Sequence, residues 1–348
     1  MSDSLEKLGT VMAVQANFYQ VRLDDGETML CTRPTRLKKI GQTVLVGDRV
    51  YIKSSECERG AIASVLPRTS ELQRPPVANT EQILLVFALE EPSLDPVQLS
   101  RFLVKAESTN LTLLLGLNKA DLISLEKKNN WQETLNSWGY NPFFFSVEKR
   151  QGIEPLQEVL KDKITILSGP SGVGKSSLTS LLIPQLEIRI GEVSGKLQKG
   201  RHTTRHIELF ELPQGGYLAD SPGFNQPDFD CPSETLINYF PEAKLRLNQG
   251  SCKFNNCLHQ QEPECAVKGA WERYEYYLKF LSEIIVKEEK IAQTRDVESS
   301  VKELVNNSGK VYTEPKLNTK KYRRVSRRQK HQQIDNIDYN SLDDDDIE

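Results

Sequence analysis

The sequence predicts an α/β protein: a central domain with a mainly parallel sheet, a small β-barrel before it and a cysteine-bearing helical unit behind it. Three observations carry this reading. Between residues 78 and 225, almost wholly apolar runs (Ile83–Ala88, Leu111–Leu117, Ile164–Leu167) alternate with stretches of helical spacing, as strands covered on both faces require. Residues 8–68 hold short strands separated by turn signals. Beyond Cys231 the strand pattern stops, and Cys252, Cys257, His259 and Cys265 crowd together ahead of an apolar stripe at three- and four-residue spacing.

In the first segment, Val11–Val14 and Phe18–Leu23 lead into Asp24-Asp25-Gly26, a strong hairpin signal, and Thr28–Thr32 returns. Thr43–Lys53 and Ala61–Leu66 add two more strands. So many short strands in so little chain point to an OB-like barrel over 1–68, a shape that closes its own sheet edges and often binds oligonucleotides. Pro67, Pro75 and Pro76, with Arg68 and Arg74, mark 69–77 as a linker. In the central domain (78–225), Pro96–Ser108 and Asn129–Trp138 have helical spacing, with Trp131 and Trp138 read as core residues. Ser176–Ile183 is a further helix, and Tyr217–Asp220 ends a strand. Residues 226–295 form the cysteine-bearing unit, whose Lys268–Gln293 stretch reads as an amphipathic helix with Trp271, Tyr274, Leu278, Leu281 and Ile285 on its stripe.

The tail, 296–348, is expected to lack fixed structure. Lys316–Lys330 carries eight Lys or Arg and no acid, dense enough to displace phosphate counterions, and the chain then ends on seven acids from Asp335 onward. The formal charge of −3 therefore hides +4 on residues 1–334. Six cysteines in 348 residues are too few and too uneven for a disulfide framework, so Cys31, Cys57 and Cys231 read as ordinary small residues. No apolar run approaches the length of a membrane span, and the first residues show no signal pattern. A cytoplasmic protein with no membrane contact, and a monomer, is the expectation.

The chemistry sits in four loops. Gly169-Pro170-Ser171-Gly172-Val173-Gly174-Lys175-Ser176 fits the phosphate-loop pattern between a buried strand and a helix, the context that confirms it. Its backbone amides point at a β-phosphate, Lys175 adds a point charge, Ser176 can ligate Mg²⁺, and Ser177 follows on a helix whose positive end faces the same anion. Asn118-Lys119-Ala120-Asp121 follows directly on the buried strand Leu111–Leu117. A carboxylate at Asp121 can accept both hydrogens from the N1–H and N2 amine of guanine, which adenine does not offer; Asn118 can hold neighbouring loops, and the Lys119 stem can cover the ring. Ser146-Val147, with Gly152 behind, can present an amide to guanine O6. Asp220-Ser221-Pro222-Gly223 fits D-x-x-G after a strand: Asp220 would reach Mg²⁺ through water and Gly223 would sense the γ-phosphate. In the loop from Gly200 to Thr204, Thr203 and Thr204 are placed to close on the nucleotide, with Thr204 on Mg²⁺. Phe224 stands where a water-orienting Gln sits in Ras-like enzymes, leaving His202 as the candidate catalytic group beside Lys175. Cys252-x₄-Cys257-x-His259-x₅-Cys265 supplies three thiolates and an imidazole, a closed set suited to one structural Zn²⁺.

The order of these motifs is unusual: base motif, Ser-Val loop, phosphate loop, Thr loop, then Asp-Ser-Pro-Gly. Ordinary GTPases begin with the phosphate loop. This circularly permuted order, with a barrel in front and a Cys/His cluster behind, resembles the ribosome small-subunit-dependent GTPase A family over about residues 8–290. The cysteine spacing is similar at all four positions; Ser221, Val147 and Arg205 depart from the usual Thr, Ala and following residue. The resemblance implies a permuted P-loop GTPase domain between an OB-like barrel and a zinc-binding helical domain. It implies a slow enzyme that takes GTP to GDP late in assembly of the small (30S) ribosomal subunit, is stimulated by that subunit and its rRNA, and leaves it after hydrolysis. The permutation also runs the Asp220–Phe224 switch straight into the C-terminal unit, a hinge-type coupling. Phe224 keeps open a non-enzymatic RNA-binding scaffold liganded by GTP, and Asp121 argues against an adenine-nucleotide enzyme.

Overall fold

The computed structural model describes residues 6–36, 41–54, 59–73, 75–184, 207–220, 228–269, 271–298, 301–305 and 311–315. Five strands open the chain: β1 (Glu6–Gln15), β2 (Phe18–Leu23), β3 (Thr28–Thr32), β4 (Arg49–Ser54) and β5 (Arg59–Val65). They pair in the ring β1-β2-β3-β5-β4, and β4 returns to β1, so the sheet closes into a barrel. Val11, Val21, Ile52 and Ile62 fill it with no exposure. The expected hairpin is present: Leu23 donates to the Glu27 carbonyl at 2.8 Å, and Asp25 Oδ1 accepts from the Glu27 amide at 3.0 Å. Cys31 is buried in this core, which pushes its thiol up to about 11.

Residues 69–77, expected as a linker, instead carry a hairpin of β6 (Glu71–Gln73) and β7 (Pro76–Ala78) fastened to the barrel. Arg68 grips the fully buried Asp48 through Nε–Oδ1 at 2.7 Å and Nη2–Oδ2 at 2.9 Å. Ala78 donates to the Val46 carbonyl at 2.8 Å. The prolines signal a break in strand pattern, but the partners that order the segment lie about 20–30 residues away.

The central sheet runs β10 (Phe143–Phe144), β9 (Thr112–Asn118), β8 (Gln82–Ala88), β11 (Ile164–Ser168), β13 (Tyr217–Asp220), β12 (Glu208–Glu211). All neighbours are parallel except β12, which turns back on β13 and then meets β1 at Ala13↔Glu208, joining sheet and barrel. Every residue of β8 is buried. Leu84 and Val86 pack with Leu156 and Leu160 of α3 (Glu154–Leu160) and Leu178 and Leu182 of α4 (Lys175–Leu182). Leu85 and Phe87 face α1 (Pro96–Glu107) and α2 (Leu125–Ser137) through Leu99, Phe102, Leu103, Leu135 and Trp138. The two-residue alternation of a strand thus serves two helix layers at once. Asp95 caps α1 by accepting from the Val97 amide at 2.9 Å, with Pro96 at the first turn.

A 3₁₀ turn (Ser233–Tyr239), α5 (Pro241–Gln249) and α6 (Tyr274–Glu298) make the C-terminal part. α6 begins six residues later than expected, because Trp271 turns back to donate its indole N–H to the Val267 carbonyl at 2.9 Å. Its most buried side chains are Tyr277, Phe280, Leu281 and Ile284, which share a core with Phe229, Phe240 and Val104 of α1. Arg273 and Glu242 are buried here, bonded at 2.6 Å (Nε–Oε1), with the guanidinium 4.8 Å from the Trp138 ring centre and 4.9 Å from that of Phe240. Residues Met1–Ile285 form one compact unit and Val286–Glu348 a second. In the second, β14 (Val301–Val305) pairs antiparallel with β15 (Val311–Pro315), so these two strands depart from the structureless tail expected; the basic run and acidic end lie outside the described residues. Among the described residues, no helix is long and apolar enough to cross a membrane.

Candidate functional site

Parallel strands place their C-terminal ends at one edge, and there the loops of an open α/β sheet meet. Register fixes which residues arrive together: Ala88 lies opposite Asn118, Leu117 opposite Phe144, Leu85 opposite Ser168, and Leu167 opposite Asp220. The base motif, the Ser-Val loop, the phosphate loop and Asp220 therefore leave the sheet side by side, although they are far apart in sequence.

Asn118 ties three of them. Its side chain is buried; Nδ2 donates to the Val173 carbonyl at 2.9 Å, and Oδ1 accepts from the amides of Lys119 at 2.8 Å and Val147 at 3.2 Å. A Cβ at Gly174 would fall 2.4 Å from Nδ2, so this contact requires the glycine, whose φ of +94° also suits it. Gly169 is under the same constraint: a Cβ would meet the Val86 carbonyl at 2.0 Å. Lys175 donates to the carbonyls of Gly169 at 2.7 Å and Pro170 at 2.5 Å, so the ammonium is aimed across its own loop. Val173 is buried beneath, Pro170 is half-buried, and Ser171, Gly172, Ser176 and Ser177 are exposed on the outer side.

Lys119 takes the left-handed conformation (φ +61°), and its Nζ donates to the Glu91 carbonyl. Ala120 donates to the Phe145 carbonyl at 3.1 Å, and the half-exposed Asp121 sits in the following 3₁₀ turn. Ser146 is buried and its amide and carbonyl both pair with Gln151, while Val147 gives its amide to Asn118. The amide expected to face guanine O6 is thus engaged within the base motif. Ser146 Oγ accepts from the Lys149 amide at 3.1 Å. Asp220 ends β13 at this edge. His202, Thr203, Thr204 and Gly223 lie outside the described residues.

Downstream of that switch the chain is held at once. Phe229 is buried under the Arg101 guanidinium at 4.8 Å; Arg101 also lies 4.7 Å from Phe280 and binds both oxygens of Glu283 at 2.6 and 2.7 Å. Lys105 bonds Asp230 at 2.6 Å. Both cations project from α1, and nothing in local spacing marks them, since their partners come from over 120 residues away.

The four cysteine-cluster residues converge, their ligand atoms all within 4.8 Å of one another. Nδ1 of His259 is 3.5 Å from Cys252 Sγ, 3.5 Å from Cys257 Sγ and 3.3 Å from Cys265 Sγ, and Cys252 and Cys265 are 3.9 Å apart. Bond lengths of about 2.3 Å (Zn–S) and about 2.0 Å (Zn–N) give tetrahedral edges of about 3.8 Å (S–S) and about 3.5 Å (S–N), so the donor set fits such an ion. Burial lowers the pKa of His259, keeping the imidazole neutral as a ligand must be. Burial also pushes the Cys257 thiol up to about 12, with the Cys265 thiol adding to it, which a bound cation would reverse. α6 supports the loop: Tyr274 donates to the carbonyls of His259 at 2.7 Å and Gln260 at 3.0 Å, and Tyr277 to that of Leu258 at 2.7 Å. Glu262 accepts from the amides of Leu258 and Gln260, each at 2.7 Å.

Comparison with known proteins is decisive. The family model RsgA GTPase matches residues 65–230. Small ribosomal subunit biogenesis GTPase RsgA of Microcystis aeruginosa is 57% identical over 97% of this chain and 95% of its own length. The chain belongs to the RsgA GTPase family. Its relatives include the RsgA of Synechocystis, 51% identical over 94% of both chains, and the mitochondrial RsgA 1 of Arabidopsis thaliana, 40% identical over 94% of this chain and 85% of that one. Among solved structures, the circularly permuted GTPase YloQ matches with a TM-score of 0.68 and 30% identity over 82% of this chain and 98% of its own. YjeQ from Thermotoga maritima gives 0.68 and 32% over 81% and 99%. The permuted GTPase fold, read from motif order, is therefore the fold of the family, and the protein is a GTP hydrolase.

Proposed function

We propose that this RsgA family member binds the small ribosomal subunit as a monomer in the cytoplasm, that the subunit stimulates GTP hydrolysis, and that hydrolysis ends the complex. The observation that carries the reading is Asn118, whose side chain bonds the base motif, the Ser-Val loop and the phosphate loop together at one sheet edge. Relatives named for small-subunit biogenesis, similar over nearly the whole chain, supply the context.

In this account Asp121 reads the two donors of guanine, and the Lys119 stem, fixed by Glu91, covers the ring. The amides of Gly169–Ser176 hold the phosphates and Lys175 turns from its loop carbonyls to the β,γ oxygens. Ser176 and Thr204 would hold Mg²⁺, with Asp220 acting through a water, and the ion would supply positive charge to the β,γ oxygens; Thr203 and Gly223 would close around the γ-phosphate. Water attacks the γ-phosphorus, the bond to the β,γ-bridging oxygen breaks, and GDP and phosphate leave; His202 would orient that water. The ion at Cys252, Cys257, His259 and Cys265 is zinc, structural, and holds the loop rather than taking part in chemistry. Since Arg101 and Lys105 pin Phe229 and Asp230 to α1, the switch pulls against a fixed point, and its motion passes into the C-terminal helices. The barrel (1–68), the zinc unit (226–295) and the basic tail meet rRNA, flanking a GTPase domain over 78–225.

The test is phosphate release from GTP with and without isolated small subunits. Release is expected to rise on adding subunits and to fall roughly 100-fold in Lys175→Ala, the scale of one lost charge-stabilising donor. Release indifferent to the subunits contradicts the proposal.

A further inference from the structure

A cavity of about 390 Å³ opens between the segment that follows β8, the helix α2 and the first turn of α6, within the range of sites that take a sizeable side chain or small ligand. Glu90 lines the cavity, and the carbonyl of the adjacent Glu91 accepts from the Lys119 ammonium. Its walls are aromatic, with half-buried Trp131 and Tyr276 and the deeper Trp138. Carboxylates stand among them. Glu272 lines the cavity and accepts from the Trp138 indole N–H and from Ser137, each at 3.0 Å. Glu90 is the second carboxylate of the lining; its neighbour Glu91 and the α1 cap Asp95 are outside it. Among the described residues, Lys127 is the one cation in the lining; it shares Glu90 at 3.2 Å, which leaves the lining one carboxylate in excess.

Aromatic faces with carboxylates beside them attract a cation, and the same carboxylates repel a phosphodiester. The molecule already uses this chemistry on the other side of the wall, where the Arg273 guanidinium packs on the Trp138 ring at 4.8 Å. We propose that this cavity is a docking site for an arginine side chain of a basic protein segment, the guanidinium lying on Trp131 or Tyr276 and bonding Glu90 or Glu272. Arginine fits better than lysine because its planar fork can stack on a ring and bind a carboxylate at once. Exposed Leu122 and Leu125, 46% and 72% accessible, flank the α2 side and suit a polypeptide occupant rather than a free cation. This site does not rest on the nucleotide reading, and its Glu272 and Tyr276 belong to the 226–295 unit proposed above to meet rRNA.

The test uses the full chain and a short fluorescein-labelled arginine–glycine peptide, followed by anisotropy. Both substitutions fall on accessible side chains, Glu90 at 35% and Lys127 at 64%, so the fold is not at issue. Glu90→Lys is expected to weaken binding about tenfold, the size of one lost cation contact, and Lys127→Glu to tighten it several-fold. The acidic end of the chain also attracts such a peptide, but equally in every variant. Binding that ignores both substitutions overturns the proposal. So does a labelled uridine oligonucleotide whose binding to wild type is weakened by Lys127→Glu, which would mark the cavity as an RNA site.

Discussion

Chelating the metal, or Cys257→Ser, is expected to unfold residues 251–269 while leaving the central sheet intact. The loop has no helix or strand of its own, and only a few of its side chains, Val267 foremost, reach the neighbouring core. Structural zinc contributes on the order of 10 kcal/mol to units of this kind, far more than those contacts replace. The loop's remaining ties are the Tyr274 and Tyr277 hydroxyls on three carbonyls and the Glu262 carboxylate on two amides. At about 1 kcal/mol apiece net, these do not hold it closed once three thiols and an imidazole lose their ion. Hydrogen exchange is the measurement: amides in 251–269 should lose protection on chelation, while those of β8, β9 and β11 keep theirs. A chelated protein with the loop still protected would show that packing alone shapes the cluster.

The second large effect is expected at Glu242. Arg273 is fully buried, its guanidinium enclosed by Trp138, Tyr140 and Phe240 at 4.8, 5.4 and 4.9 Å, and Glu242 is the carboxylate bonded to it. Aromatic faces soften the desolvation of a cation without replacing its counter-charge. Glu242→Ala should therefore cost about 3–5 kcal/mol of stability, the usual penalty for stranding one partner of a buried pair. The paired substitution Glu242→Leu with Arg273→Met should recover most of it, because it removes both charges and keeps the volume. Urea unfolding followed by the three tryptophans reads both; a single-variant loss under about 1 kcal/mol would mean that water reaches the guanidinium. Burial raises the pKa of Tyr140, and that of Glu107 likewise, at this junction between α1, α2 and the C-terminal helices.

What the sequence made legible follows the range of the interactions involved. β8 and β9 could be read because burial on two faces leaves an unbroken apolar run, and the phosphate loop because its glycines, two of which the fold sets against Val86 and Asn118 of neighbouring strands, stand at a fixed spacing before Lys175 and Ser176. Asn118 is legible as a tie between loops from its place at a strand end, whereas the Ser146-Val147 pair, read as presenting an amide to the base, gives its amides to Gln151 and Asn118. The β6–β7 hairpin was not legible: Pro75 and Pro76 look like a linker, and the Arg68–Asp48 pair that docks the segment leaves no periodic trace. The start of α6 was misplaced for a similar reason, since Trp271 has the right spacing for the stripe but spends its indole on the metal loop. Arg101, Lys105 and Arg273 are ordinary charges in sequence; only the fold brings their partners to them. Motif order, by contrast, needs no fold to be seen, and it carried the permuted GTPase reading that the relatives bear out.

The central physical claim is that Asp121 selects guanine while residues 169–176 grip its phosphates. Competition between GTP and ATP for the purified chain tests it most directly, with a fluorescent guanine nucleotide as the reporter. A carboxylate left facing adenine loses both of its donors, so ATP should compete roughly 10⁴-fold more weakly than GTP. ATP displacing the reporter as well as GTP does would contradict the assignment.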